Sequence, residues 1–556
     1  MLNKNLLKSL FLLMALIIIL SACKSGESSG TTNNGTDNGQ SAGGESGGDG
    51  IVTVTAWSSQ QPRVEDFNDN KLTHIIEEKL GINIEFQTAP FDGAKEKQNL
   101  LLASGDYPTA FIGGAFSKVD QLKYGELGVF LPLNDLIAEH APNIQKVFEE
   151  NPAFESGVTT PDGNIYSLPG ADGCYHCFWP TKTWINEEWL KALDLEMPTT
   201  IEEFESVMLA FKNEDPNGNG EADEVPLSGH TDGDYGSPIP FLMNSFVYTN
   251  PINYLQLDGD QIDLVADNPE WKEGLKYINR LYSQGLIDQE AFTQDMSNLQ
   301  QLSMDPNAIR LGVYPNLWNG DVVTIYGDAV DQRWNQYVAV PPLEGPNGDR
   351  YVTYNGHVVS EGKFAITDMA TEEQQIAAIK IADYMYSEEG ALSNFVGVGT
   401  WVKAEEGVIG TDGKPAIWDN SPESADADWD APTKDHWDNG FYYMSVDLFH
   451  GQGVSQDLEV QDGNEPRLYQ ENEKYVGVEP MDKVLPDMFI DPEASQTAAE
   501  LVTVINKYIQ QNAVQFAIGA KDIDADWDSY VQGFKDLQVD KYLKIYQDAY
   551  EANQNK

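Results

Sequence analysis

Basic residues are scarce in this chain. Against 89 Asp and Glu stand 34 Lys and Arg, for a formal net charge of −55. A surface this acidic repels nucleic acid and anionic lipid at long range. It excludes nonspecific binders of either, and no nucleic-acid partner is expected. Cysteine is scarcer still, with 3 in 556 residues. That excludes a disulfide-built scaffold and leaves too few thiols for a four-cysteine zinc site. No apolar run reaches the roughly 20 residues of a membrane-spanning helix; the run Leu10–Leu20 has 11. Also missing are a His-Glu-x-x-His zinc motif, a Gly-x-Ser-x-Gly nucleophile turn and a phosphate-binding loop. Paired carboxylates, the usual glycosidase apparatus, are unavoidable among 89 acids and identify nothing.

What is present starts at the N-terminus. Lys4 and Lys8 precede the apolar run, and Leu20-Ser21-Ala22-Cys23 follows it, the pattern of an export signal. Leu-Ser-Ala-Cys resembles the bacterial lipobox. That resemblance implies that residues 1–22 are removed as a lipoprotein signal peptide and that the Cys23 thiol carries a lipid such as palmitate. The protein is then expected at the extracellular face of the cell membrane, held there by its lipid anchor. Residues 24–50 are mostly Gly, Ser, Asn and Thr without a large apolar side chain. Such a stretch cannot offset its chain entropy by burial, so 23–50 reads as a lipidated cysteine and flexible linker spanning roughly 30 Å.

The body, residues 51–556, exceeds one typical core. Ile51–Trp57 alternates as a strand does. Residues 71–80 place Leu72, Ile75, Ile76 and Leu80 on one helical face, Gly81 ends that helix, and Ile82–Phe86 forms a second strand. A β-α-β unit implies a parallel sheet with helices on its faces, an α/β fold. Helices are further expected at about 93–104 and 270–284, after capping boxes at Thr200–Glu203 and Thr371–Gln374, and over the last 60 or so residues. Cys174-Tyr-His-Cys177 holds the other two cysteines. In an oxidising compartment a local disulfide is expected there, with free thiols or a redox pair as alternatives.

The order of motifs resembles a known family: lipobox, a strand ending in Trp57, Gly105-Asp-Tyr-Pro108, Ile165-Tyr-Ser-Leu-Pro169, Asp215-Pro-Asn-Gly-Asn-Gly220, and a tail running from Phe516 to Trp527 and from Tyr542 to Tyr550. It is similar to the extracellular solute-binding proteins (family 1) of ABC importers, in the large Gram-positive lipoprotein branch near the alginate-oligosaccharide binding proteins. The resemblance implies a two-lobed, periplasmic-binding-protein-like fold (type II), with discontinuous lobes joined by a hinge and the ligand in the cleft. Lobe one is expected at 51–168 plus 312–370, and lobe two at 169–311 plus 371–556. The implied function is capture of a carbohydrate, an oligosaccharide, by a monomer that delivers it to ABC transporter permease subunits without catalysis. Two alternatives are a ligand-sensing lipoprotein for a membrane receptor and a secreted carbohydrate-active enzyme.

One loop has the composition of a hard-cation site. Asp215, Asn217, Asn219, Glu221 and Asp223 occupy positions 1, 3, 5, 7 and 9 of an EF-hand-like loop, with Gly220 at position 6. Position 12 is Pro226, so Glu224 is the expected bidentate carboxylate for a structural Ca2+; the alternative is a plain turn capping the preceding helix. Sugar recognition calls for flat aromatic faces and fixed polar groups in a concave site. Expected ligand-binding aromatics are Trp57, Tyr175, Trp179, Tyr235, Trp318, Trp401 and Trp437, with Phe178 beside them. Gln60, Asp106, Asn316, Asn319 and His357 are candidate polar partners, and Arg63 and Lys182 would suit an acidic sugar.

Overall fold

A computed structural model describes residues 50–325, 332–356, 361–422 and 431–554. The expected signal segment, Cys23, the linker and His357 lie outside them. The body opens with strand β1 (Val52–Gln60), helix Lys71–Leu80, β2 (Ile82–Pro90), helix Ala94–Ser104 and β3 (Ala110–Phe116). The first helix forms where its ends are satisfied. The Asn70 side chain accepts from the Leu72 N–H, and Gly81, at φ 65°, donates back to the Glu77 carbonyl. β1 runs parallel to both β2 and β3. Short β4 (Leu168–Pro169) closes this stretch.

The chain then crosses to β5 (Thr183–Asn186), β6 (Val225–Leu227), the hairpin β7 (Leu255–Asp258) and β8 (Gln261–Leu264), β9 (Leu311–Pro315) and β10 (Tyr337–Ala339). It returns through β11 (Gly362–Ile366), and a second hairpin joins β12 (Trp401–Lys403) to β13 (Trp418–Asn420). The result is two main sheets, ordered β2-β1-β3-β11-β4 and β10-β5-β9-β6. Each has its own core. Val54, Ile84, Ile112, Phe364 and Ile379 bury together on the first, and Trp184, Phe204, Leu227, Trp271, Val313 and Ile505 on the second. The first sheet is covered on both faces, since Trp57, Phe111, Phe116 and Phe130 form a separate cluster.

Two expected assignments change. Residues 312–370 are expected in the first lobe, and β11 does join the first sheet, but β9 pairs with β5 and β6, and β10 with β5, so 312–315 and 337–339 build the second. Residues 371–556 were placed whole in the second lobe, but they divide. Helix Glu372–Met385 packs its Ile379, Ile381 and Met385 into the first core. Helices Pro492–Ala517, Ile523–Asp536 and Val539–Gln554 pack Ile505, Phe534 and Tyr542 into the second. Sheet membership is set by nonlocal pairing, which an apolar run does not encode.

The chain therefore passes between the lobes three times: between β4 and β5, between Val352 of the second core and β11, and between Phe441 of the first core and Leu468 of the second. The first and third crossings touch at their start. Ala171 N–H donates to the Tyr442 carbonyl and Met444 N–H to the Ala171 carbonyl, 2.8 and 2.9 Å. A Cβ on Gly170 would lie 1.8 Å from the Gly440 carbonyl oxygen. Gly170→Ala is therefore expected to cost about 1–3 kcal/mol, as overpacking does, read as a lower urea midpoint; an unchanged midpoint would show that these segments separate freely.

Candidate functional site: an aromatic pocket at the lobe crossings

The three crossings bring rings together that lie far apart in the chain. The 3-10 turn Tyr175–Phe178 sits in the first crossing. The Tyr175 ring lies 5.1 Å from Trp179, 5.0 Å from His450 and 5.5 Å from Tyr469, centroid to centroid. Tyr354, from the second crossing, meets Phe178 at 6.3 Å and Trp179 at 5.7 Å. Tyr175, Tyr354 and Tyr469 keep part of their surface open, whereas Phe178, Trp179 and His450 are buried behind them. The Tyr175 hydroxyl donates to Glu473 at 3.2 Å. Tyr354, His450 and Tyr469 were not foreseen, because nothing local marks a lone ring in a connecting segment.

Cys174 and Cys177 are joined as a disulfide that closes the Tyr175 turn. So short a closed loop contributes only about 2 kcal/mol through chain entropy, and its main effect is on the shape of the turn. With both sulfurs bonded, the Cys174–His176–Cys177 cluster offers no thiolate to a metal. His176 Nε2 lies 3.3 Å from Cys174 Sγ, and His176 Nδ1 lies 3.6 Å from a Glu465 carboxyl oxygen. Burial, then the nearby Lys182 ammonium, holds the His176 pKa down at about 3. Burial, then Asp172, pushes Glu465 up to about 7. At neutral pH this is a neutral imidazole beside a carboxyl group, not an ion pair.

Lys182 fixes the other end of the turn. It is 0 % exposed, and its ammonium donates to the carbonyls of His176 and, at 2.7 Å, Trp179. Its own carbonyl accepts from Asn316 N–H, which ties the turn to the end of β9. A group enclosed in this way is out of reach of an acidic sugar, so that expectation is withdrawn for Lys182. Arg63 makes a 2.7 Å ion pair with Asp438.

The other expected residues divide. Tyr235 is half-buried and its hydroxyl accepts from Asn355 of the second crossing at 3.2 Å. Asn316 is buried, donating to the Trp318 carbonyl and to Asp321 at 2.8 and 2.9 Å, with Trp318 half-buried beside it. Asn319 is fully buried and donates to Asn464. Trp57 and Trp437 are core residues, 2 % and 0 % exposed. Trp57 packs on Phe111, while Trp437 stacks over Phe67, meets Phe86 edge-on and donates to Thr73. No face of either ring is left for a ligand. Trp401 packs into a small cluster around the β12–β13 hairpin. Gln60 bonds the carbonyls of the turn after its own strand, and Asp106 sits on an exposed turn.

The acidic loop folds around its side-chain oxygens. Asp215 accepts from the N–H groups of Asn219 and Gly220, Asn217 from Asn219, and Asn219 from Glu221. The side-chain amides of Asn217 and Asn219 both donate to Asp223. The Glu221 side chain is exposed, and position 7 of such a loop serves a cation through its backbone carbonyl. Both Glu224 carboxylate oxygens are buried without a hydrogen-bond partner. Burial, then the charges of Asp215 and Asp223, raises its pKa. An all-oxygen set with an unsatisfied carboxylate fits a hard divalent cation.

Two α/β lobes joined by three crossings over an aromatic pocket define a two-lobed, type II binding protein. Residues 64–402 match the family model described as bacterial extracellular solute-binding protein, and the chain belongs to that family. It is 30% identical over 521 residues to the fructooligosaccharide ABC transporter substrate-binding protein FusA of Streptococcus pneumoniae, covering 90% of each chain. The FusA structure in complex with kestose superposes with a TM-score of 0.63 at 28% identity, over 91% of this chain and 100% of that one. A FusA EF-hand mutant in complex with fructo-nystose gives 0.62 at 27% identity and the same coverage. An HMO-binding solute-binding protein of Bifidobacterium longum infantis shares the fold, with a TM-score of 0.71 at 22% identity over 91% of this chain and 99% of that one. No helix among the described residues is long and apolar enough to cross a membrane.

Lys182 generates a pH prediction. Burial lowers its folded-state pKa to about 7, against about 10.4 unfolded. Below pH 7 both states are charged and the folded state bears the full cost of burying the ammonium. Between pH 7 and about 10.4 the unfolded state binds more protons, so this group's contribution to stability rises with pH. Urea midpoints of wild type minus Lys182→Met should therefore increase from pH 6 to pH 9; a flat or falling difference would contradict the assignment.

Proposed function

We propose that the protein captures an oligosaccharide between its lobes and delivers it to an ABC transporter permease, tethered to the outer face of the membrane by a lipid on Cys23. The observation that carries this is the ring cluster in which part-open Tyr175 of the first crossing meets Tyr469, just past the third, and part-open Tyr354 of the second joins through Phe178 and Trp179. A ligand resting on them contacts the segments that set the angle between the lobes, so binding and closure are coupled. Aromatic faces suit the C–H patches of a sugar, and the likeness to FusA points first to fructo-oligosaccharides. The lipobox-like Leu20–Cys23 and the linker after it support the tether. The reading is binding without turnover.

A structural Ca2+ in the loop at 215–224 belongs to the same proposal. Asp215, Asn217, Asn219, Asp223 and Glu224 would hold it with side-chain oxygens, and Glu221 with its carbonyl. The orphaned Glu224 carboxylate supports this, as does the existence of an EF-hand mutant of FusA. Bound, the ion would cross-link the loop and neutralise clustered acid groups, with no part in chemistry.

A panel of fructo-oligosaccharides and other neutral and acidic oligosaccharides, screened by melting temperature and calorimetry, tests the function. A ligand at 100 times its Kd should stabilise the protein by about 2.7 kcal/mol and be recovered intact. Tyr175→Ala should weaken binding about tenfold, the loss of roughly 1.4 kcal/mol expected from one stacked ring. A panel without a single shift, or a sugar that is cleaved, would refute the reading. For the loop, chelation should lower the melting temperature of wild type by several degrees and leave Glu224→Gln unaffected. Equal responses in the two proteins would rule out the ion there.

A further inference from the structure

We propose that Cys174–Cys177 is a thiol–disulfide exchange site, and that its reduction frees the Tyr175 ring from the aromatic pocket. That this also weakens sugar capture rests on the function proposed above.

Four observations lead there. Both cysteines are half-buried, so an incoming thiolate has a path to sulfur. The bond encloses only Tyr175 and His176, and neither cysteine is a member of either core, although Tyr175 packs against the second, so breaking it removes no core side chain. The enclosed ring is the one that touches Trp179, His450 and Tyr469; the disulfide therefore sets where the pocket's central ring stands. The enclosed imidazole faces the bond, with Nε2 3.3 Å from Cys174 Sγ. A disulfide sulfur carries no hydrogen, so in this contact Nε2–H donates and Cys174 Sγ accepts. Burial keeps the imidazole neutral, and its Nε2–H is placed to donate to the Cys174 thiolate that leaves when the bond opens.

The exchange partner is a dithiol, either a small molecule or a reducing protein. One of its thiolates attacks Cys177 Sγ. The Cys174–Cys177 bond breaks, and Cys174 leaves as a thiolate that accepts a hydrogen bond from His176 Nε2–H and then takes a proton from solvent. The second thiol of the dithiol then attacks its own sulfur in the mixed disulfide and expels Cys177, which is protonated in turn. Two electrons pass to the protein, and the dithiol is oxidised to its disulfide. Reoxidation runs the same path backwards, with the thiol protons returned to solvent.

The test uses the purified protein with millimolar dithiothreitol, well below its melting temperature. Alkylation mapped to residues 174 and 177 reads reduction, tryptophan fluorescence reads the pocket, and kestose serves as the binding probe. Reduction is expected in the folded state, with a fluorescence change reproduced by the Cys174→Ser/Cys177→Ser variant and about tenfold weaker kestose binding by both. His176→Ala should slow reduction without changing its dependence on pH. The proposal is overturned if the bond opens only once urea unfolds the protein, or if the double variant matches the oxidised protein in fluorescence. If oxidised wild type does not bind kestose, the sugar assignment fails separately, and reduction rate and fluorescence still decide the exchange site.

Discussion

Three passages of backbone have to share one narrow place between the lobes, and the site is a consequence of that constraint. Buried peptide groups need partners, and here the crossings supply one another. Ala171 bonds Tyr442 and Met444 across the first and third, and Asn355 N–H donates to the Phe178 carbonyl across the second and first. Where neighbouring backbone does not reach, Lys182 does, with its ammonium on two carbonyls of the first crossing. A buried cation is expensive unless its hydrogen bonds are made. With the backbone satisfied internally, the remaining volume falls to side chains, and they are aromatic.

Local chemistry was legible in the residues, and nonlocal pairing was not. Asn70 and Gly81 bound the first helix as their types suggest, and Thr371 with Gln374 makes the full reciprocal box. At Thr200 half of the box forms; Glu203 reaches back to Thr199 instead. The Cys174–Cys177 bond follows from spacing and compartment. The sheet joined by β9 could not be read, because Leu311–Pro315 is buried whichever neighbour it takes. Trp437 misled for a related reason: its burial depends on Phe67 and Phe86, from a distant part of the chain. The same blindness hid Tyr354 and Tyr469. Of the pocket, only the stretch that is continuous in sequence, Tyr175 to Trp179, could be recognised beforehand.

Two loops are stiffened without help from a core. The turn at 174–177 is closed by a disulfide, and the loop at 215–224 is folded by its own Asp and Asn side chains. Both lie where the chain leaves regular structure close to the second sheet. The charges of Asp215 and Asp223 act on Glu224 and, after burial, help to raise its pKa. The amides of Asn217 and Asn219, both turned to Asp223, are the relief the loop supplies itself.

The lobes also meet away from the crossings, and the contrast bears on how such a molecule opens. Lys118, at the start of helix Lys118–Glu126 beside the first sheet, pairs with Asp487 at 2.7 Å and lies 4.5 Å from the Phe489 ring centre, in the segment that leads into helix Pro492–Ala517. The pair is part-exposed, at 25% and 44% of the side chains, so solvent screens it and its worth is at most about 1 kcal/mol. The crossings are covalent and lined with buried rings, whereas this bridge is a single screened contact. A binding protein must release what it captures. Firm contacts concentrated at the crossings and a weak one elsewhere leave the angle between lobes to be decided by the ligand.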